Sequence, residues 1–283
     1  MPARLARRIF ATAACAIAAL APAAAGHAAG PPKTETASGG AVTATFTYTD
    51  AGEGTWTGLK IQVTRAGVVA FDAAPTADFC EEPYCAPGDP FTAKGSLRVV
   101  DVDGDGEPEV LVDLYTGGAH CCLLAEILRW TGTGYATFVR DFADFGYTID
   151  APAAAGRPAT FVTGDQRFAY AFAPFAYSPF PVRLLTFTGA TWRDVSRAHP
   201  ETLRADAARQ RKEYMKRRNG RLALGILAAW VADEYRLGRQ RTADRFLAAE
   251  LRAGRLKGDP VWPRRKAYIS TLKRRLKAWG YAG

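Results

Sequence analysis

Leu97-Arg-Val-Val-Asp101-Val-Asp103-Gly-Asp105-Gly106-Glu-Pro-Glu109-Val-Leu-Val-Asp-Leu-Tyr115 places an acidic turn between two short apolar runs. Both flanks are rich in Val and Leu and too short for helices, so they predict strands, Leu97 to Val102 and Val110 to Tyr115. Between them, carboxylates at positions 1, 3 and 5 can converge on one ion. Gly106 permits the tight bend, the carbonyl of Glu107 can add a ligand, and Glu109 closes the shell. The donors are all hard oxygens, which favours calcium over zinc or copper. Without a cation, the three aspartates repel one another. A solvated acidic turn with no metal is the plain alternative. An EF-hand is not: it needs flanking helices and a glutamate at position 12, where this chain has Val112.

Working outward, short strands are predicted from residue 41 to about Ser196. Thr43 to Tyr48 alternates with period two, and Leu59 to Val63 and Val68 to Phe71 follow around an Ala66-Gly67 turn. Leu124 to Trp130, Phe138 to Phe142, Phe161 to Thr163, Phe168 to Phe172 and Arg183 to Phe187 continue the series. Two landmarks repeat in order. Leu128-Arg-Trp130-Thr-Gly132-Thr-Gly-Tyr135 returns as Leu185-Thr-Phe187-Thr-Gly189-Ala-Thr-Trp192. Gly106-Glu-Pro108-Glu-Val-Leu-Val112 returns as Gly156-Arg-Pro158-Ala-Thr-Phe-Val162. Two copies of one antiparallel β unit are implied, with room for a third in residues 41 to 90. Three such units are too few for a conventional closed propeller. In the second copy alanines stand where ligands would be, so one calcium site is expected, not two.

Composition changes at His199-Pro200-Glu201. Gly30 to Thr202 carries 12 basic and 21 acidic side chains, a balance of −9; Leu203 to Gly283 carries 22 and 7, a balance of +15. The overall charge of +9 therefore conceals an acidic front and a basic back. Gly and Asn punctuation divides the back into four helices: Leu203 to Arg218, Leu222 to Leu237, Thr242 to Ala253, and a last one from near Trp262-Pro263 to Trp279. The fold class is thus α+β: an antiparallel β domain of propeller-blade-like repeats, residues 41–200, then a basic helical domain, 201–283. Residues 30–40, rich in Gly, Pro, Ser and Thr, read as a flexible lead-in.

Residues 1–29 read as an export signal. Arg4, Arg7 and Arg8 form the charged start, an uncharged apolar run extends to Ala21, and small residues precede a cleavage point near Ala28 or Ala29. Arg7-Arg8-Ile9-Phe10 also matches the core of a twin-arginine signal, so Sec and Tat export both stay open. No segment of the mature chain has the length and apolarity of a membrane span. Loss of the signal removes Cys15 and leaves Cys80, Cys85, Cys121 and Cys122, an even number that points to two disulfides. Pairing across the two segments is expected, since a ring between adjacent cysteines is strained. A four-thiolate zinc site is the alternative, disfavoured by the adjacency of Cys121 and Cys122.

Nothing along the chain assembles a recognisable catalytic set. His120 beside Cys121 suggests a Cys–His nucleophile, but an oxidised cysteine cannot attack, and a turn histidine bonded to backbone is the simpler reading. Asp113, Asp141 and Asp144 could meet a histidine only through the fold. The dense aromatic run Phe168, Tyr170, Phe172, Phe175, Tyr177 and Phe180 is read as core for the first three. The Pro-punctuated remainder is either a ligand platform or a cover for a sheet edge.

A strand, the sequence Asp-x-Asp-Gly-Asp-Gly-x-Pro-Glu and a second apolar strand together resemble the FG-GAP or VCBS-type repeat of secreted bacterial proteins; integrin blades use a similar loop. Asp113-Leu-Tyr-Thr-Gly117-Gly118-Ala-His120-Cys121-Cys122 and Asp165-Gln-Arg-Phe168-Ala-Tyr170-Ala-Phe172 are similar to segments of secreted actinobacterial proteins of this type. The resemblance covers roughly residues 95 to 200. It implies calcium held at Asp101, Asp103, Asp105, Glu107 and Glu109, and a role in adhesion or recognition, with an extracellular protein or glycan as partner and no catalysis. Glu109 departs from the usual terminal Asp. Two other readings remain: an extracellular hydrolase with its site between the β and helical parts, and a binder of anionic cell-envelope polymer through the basic helices. Nucleic acid is not an expected partner outside the cell.

Overall fold

The computed structural model describes residues 29–78, 80–88, 95–118, 120–151 and 156–282. Apart from its last residue, the expected export signal, with Cys15 and His27, lies outside them.

The chain first forms three antiparallel meanders. Strands β1 (Lys33–Gly39), β2 (Val42–Gly52), β3 (Thr55–Arg65) and β4 (Val68–Ala73) make the first sheet in sequence order. The short β5 (Ala86–Pro87) joins β6 (Leu97–Val100), β7 (Glu109–Gly118), β8 (Cys121–Trp130) and β9 (Tyr135–Asp141) in the second. The third contains β10 (Thr148–Ala151), β11 (Thr160–Gly164), β12 (Val182–Thr188) and β13 (Thr191–Asp194). The sequence repeats fall on equivalent places. Leu128 to Tyr135 and Leu185 to Trp192 are the last hairpins of their sheets, where Trp130 pairs with Tyr135 and Phe187 with Trp192. The acidic segment before β7 corresponds to Gly156–Pro158 before β11.

The sheets stack face to face and do not close into a ring. On β7 and β8, Val110, Val112, Leu114, Leu124 and Leu128 face the first sheet, packing with Phe46, Ile61 and Val63. The alternate residues Leu111, Ala125 and Ile127 face the third sheet, against Phe161, Leu185 and Phe187. Side chains alternate across a strand, so covering both faces requires a continuous apolar run, and this is what β7 and β8 show. A third core belongs to four helices: α1 (Pro200–Arg217), α2 (Ala223–Arg236), α3 (Gln240–Arg252) and α4 (Arg265–Ala278). All fourteen residues of α2 are buried, so it is the central helix that its composition predicts.

Three expectations are corrected. Residues 30–40 are not a flexible lead-in: Lys33 to Gly39 pairs residue by residue with β2 from Tyr48 to Val42. Glu35 points inward and accepts hydrogen bonds from Tyr48 Oη (2.8 Å), Ser96 N (2.8 Å) and Leu97 N (3.2 Å), an alternation obscured by the small residues around it. Phe168 to Phe172 is not a strand. A 3₁₀ turn at Gln166–Phe168, capped by Asp165, sends Phe168 and Phe172 into the helical core and leaves Tyr170 half exposed. The cysteines pair within segments, Cys80 with Cys85 and Cys121 with Cys122. The turn between Cys80 and Cys85 brings its own ends together, with Cys85 N donating to Glu81 O at 3.0 Å; Cys121 and Cys122 both lie at the start of β8.

Secondary structure changes at Pro200, yet packing does not divide there, because residues 165–180 contribute to the helical core. Specific polar contacts join the layers. Buried Asp165 accepts from Tyr281 Oη at 2.7 Å, and Arg236 bridges Val182 O (2.7 Å) and Asp194 (3.1 Å). Asp206 of α1 accepts from Val182 N at 2.8 Å. Beside it, Asp233 of α2 is fully buried, with the Asp206 side chain as its hydrogen-bonding neighbour. Burial, followed by the neighbouring Asp206 charge, pushes the Asp233 carboxyl well above the usual range. The folded chain then keeps a proton that the unfolded chain releases, so this contribution to stability falls as pH rises through the ordinary carboxylate range towards the folded value. Asp233→Asn is expected to gain stability over wild type as pH rises above the ordinary carboxylate range in denaturant titrations. Parallel pH profiles for the two proteins would contradict it.

Candidate metal centre

The acidic loop connects β6 to β7, and its own backbone organises it. Asp101 Oδ1 accepts from Gly104 N at 2.7 Å and Oδ2 from Gly106 N at 3.0 Å. Asp103 Oδ1 accepts from Asp105 N at 3.2 Å, and Asp105 Oδ1 from Glu107 N at 2.8 Å. Glu109 folds back so that its Oε2 accepts from Val102 N at 2.8 Å. These local bonds hold a tight coil that strand pairing could not supply. Gly104 and Gly106 take φ of +80° and +90°, conformations that fit glycine.

The five predicted ligand residues separate into two groups. Asp101, Asp103 and Glu109 each bring a carboxylate oxygen within 4.8 Å of the others; Asp103 is 6% exposed and Glu109 1%. Asp105 turns towards Arg129, whose Nη2 lies 2.7 Å from its Oδ2, and the same guanidinium holds Asp103 Oδ2 through Nε at 2.7 Å. The Glu107 side chain points away into a two-pronged ion pair with Arg65, with Nη2 to Oε2 at 2.7 Å, leaving only its carbonyl for the loop. Burial, then the charges of Asp103, Asp105 and Asp101, push the Glu109 carboxyl up to about 8, against a partial lowering by the Val102 N–H. A doubly charged cation would relieve that repulsion, and three hard carboxylates are a donor set suited to one.

The loop is also a junction. Gly104 O accepts from Gly156 N at 3.0 Å, and Val102 O accepts from Ala159 N at 2.8 Å, which ties it to the equivalent segment of the third sheet. Arg65, at the end of β3, reaches it from the first sheet and lies over the Trp130 ring at 4.9 Å. Each sheet, or the segment leading into it, thus contributes to the loop's surroundings, and the Arg157 backbone, just before β11, leaves no room for a Cβ on Gly104.

Arg65 and Arg129 were not expected from sequence. Arg129 carries a detectable signal, since Val110 pairs with Leu128 and one further step along the register sets Glu109 against Arg129. Arg65 carries none, lying 42 residues from Glu107.

The remaining candidates do other work. His120 packs its ring on Phe175 with centroids 4.0 Å apart. Asp113 accepts from Tyr147 Oη at 2.6 Å and pairs with Arg98, while Asp141 Oδ1 accepts from Ala143 N at 2.6 Å. His199 Nδ1 lies 3.9 Å from Glu201. Fully buried Glu126 accepts from Thr76 N and Ala77 N, fixing the segment after β4 to the second sheet. In the aromatic run, Phe180 packs on both Phe175 and Phe145, while Tyr177 is 48% exposed. Among the described residues no helix is long and apolar enough to cross a membrane.

No model of a known protein family matches the chain, and no solved structure matches it. Over 110 residues it is 33% identical to a probable thylakoid lumen protein of Synechocystis sp., covering 35% of this chain. The chain spans only 30% of that relative's length.

Proposed function

We propose that the chain is a secreted calcium-binding β-repeat protein, a recognition or adhesion module in which one calcium ion staples the repeats together. The observation that supports this best is the convergence of Asp101, Asp103 and Glu109 at the point where residues of all three sheets meet. Their side chains would hold the ion, with the Glu107 carbonyl completing the shell and Asp105 joining on release from Arg129. The ion would supply charge neutralisation and rigidity at the junction, not chemistry on a substrate. Export fits the two cysteine pairs, and it fits the lumenal description of the Synechocystis relative.

A ligand that binds only the folded chain adds about 2.7 kcal/mol of stability at a hundredfold excess over its dissociation constant, or roughly 5–10 °C in Tm for a chain of this size. Calcium added to chelator-treated protein is expected to raise Tm by that order. Glu109→Gln and Asp103→Asn should abolish the rise, and Asp105→Asn should keep most of it. A rise of equal size in all three variants would place the ion elsewhere.

A further inference from the structure

A groove of about 750 Å³ runs between the turn at residues 176–179 and the facing ends of α1 and α2. Four basic side chains line it, Arg209, Lys216, Arg217 and Arg221, against one acidic side chain, Glu213. Glu213 is shared by Lys216, at 3.7 Å, and Arg217; Arg209 pairs with Asp206, and Arg221 with Asp259 at 3.1 Å. Four cations thus meet three carboxylates, two of them outside the lining, which leaves the rim one net positive charge.

Two further features lie in the same groove. The first turn of α2 opens onto it, since Leu222 and Ala223 are lining residues. That turn has neither a side-chain cap nor an acidic residue, although the first N–H groups of a helix attract an anion. Independently, Gln210 of α1 lines the groove while 1% exposed, and its Nε2 meets no hydrogen-bond acceptor among the described residues. A buried amide donor without an acceptor is costly unless a ligand supplies one. The exposed Tyr177 ring and Pro179 form an apolar wall beside these donors.

We propose that this groove binds an acidic carbohydrate. A phosphate or carboxylate would sit at the start of α2 among Arg217 and Arg221, a sugar oxygen would accept from Gln210, and the C–H face of the ring would lie on Tyr177. Cations recognise the charge, while the amide and the aromatic wall select a hydroxylated ring over a bare ion. The groove is separate from the acidic loop, so this binding does not depend on calcium.

Calorimetry on the full mature chain tests the proposal, using oligogalacturonate, poly(glycerol phosphate), inorganic phosphate and a neutral dextran oligosaccharide, each with calcium and with chelator. One or both acidic polymers should bind in either condition, more tightly than inorganic phosphate, and dextran should not bind. Which polymer binds more tightly separates carboxylate from phosphodiester recognition. Arg217→Gln with Arg221→Gln should weaken binding about tenfold, whereas Arg274→Gln with Lys277→Gln, an equal change of charge on α4, should weaken it less than about twofold. In the wild type, bound ligand should slow amide exchange at residues 209–213 and 222–226, a readout that needs no variant. Equal losses from both double variants, no acidic polymer bound at millimolar concentration, or protection absent from these segments would each overturn the proposal.

Discussion

Gly104→Ala is expected to destabilise the protein by about 3 kcal/mol or more, while Gly106→Ala, two residues on, should cost about 1 kcal/mol. Both glycines have positive φ, +80° and +90°, so a side chain is strained at either. They differ in what surrounds them. A Cβ on Gly104 would lie 2.5 Å from the carbonyl oxygen of Arg157 and 2.6 Å from its carbonyl carbon, whereas nothing lies within 4 Å of one on Gly106. The obstacle is backbone of the neighbouring sheet, held by the bond from Gly156 N to Gly104 O, so relief requires the second and third sheets to part. Equilibrium unfolding in urea measures both costs. Equal, small losses would show that the loop does not clamp the two sheets.

Asp165→Ala should cost about 3–5 kcal/mol, the usual penalty for removing one member of a buried charged cluster. Asp165 is 1% exposed and accepts from Arg167 Nε at 2.8 Å and Tyr281 Oη at 2.7 Å. Arg167 also donates to Trp279 O at 3.0 Å, so the carboxylate anchors the end of the chain to the third sheet. Burial alone would raise its pKa, but the hydrogen bonds from Arg167 and Tyr281 outweigh burial and hold it below the usual carboxylate range. A depressed folded pKa gives stability that is complete above the unfolded value, about 3.9, and disappears as pH falls through the folded one. The gap between wild type and Asp165→Ala should therefore be full at pH 7 and narrow in acid. Asp165→Asn, which still offers one acceptor, should lose less. A loss below about 1 kcal/mol at pH 7 would show that the helices dock without this cluster.

Where the sequence sufficed, each residue's environment was set by its neighbours in the chain. Alternation marked β2 and β3, a continuous apolar run marked α2, and turn residues marked the hairpin at Trp130 to Tyr135. The paired landmarks at Leu128 and Leu185, and at Gly106 and Gly156, made the meander of the second and third sheets readable. Long-range partners were not readable. The inward position of Glu35 depends on Ser96, 61 residues away, so β1 looked like linker. Phe168 and Phe172 alternate as a strand would, but Asp165 caps a 3₁₀ turn there, and their packing surface comes from α4 and the residues after it, with Tyr268 against Phe172 and Trp279 against Phe168. In the acidic loop, spacing identified the carboxylates, and the two arginines that divide them came from β3 and β8. The sequence thus identified the members of the loop; the fold turns Glu107 to Arg65 and Asp105 to Arg129, and brings Asp101, Asp103 and Glu109 together, with Asp103 also held by Arg129.

Calcium titration of chelator-treated protein by calorimetry bears most directly on the proposal that this convergence is a metal site. One ion per chain is expected, with Glu109→Gln abolishing the heat. No binding at millimolar calcium, or two equivalent sites, would contradict it.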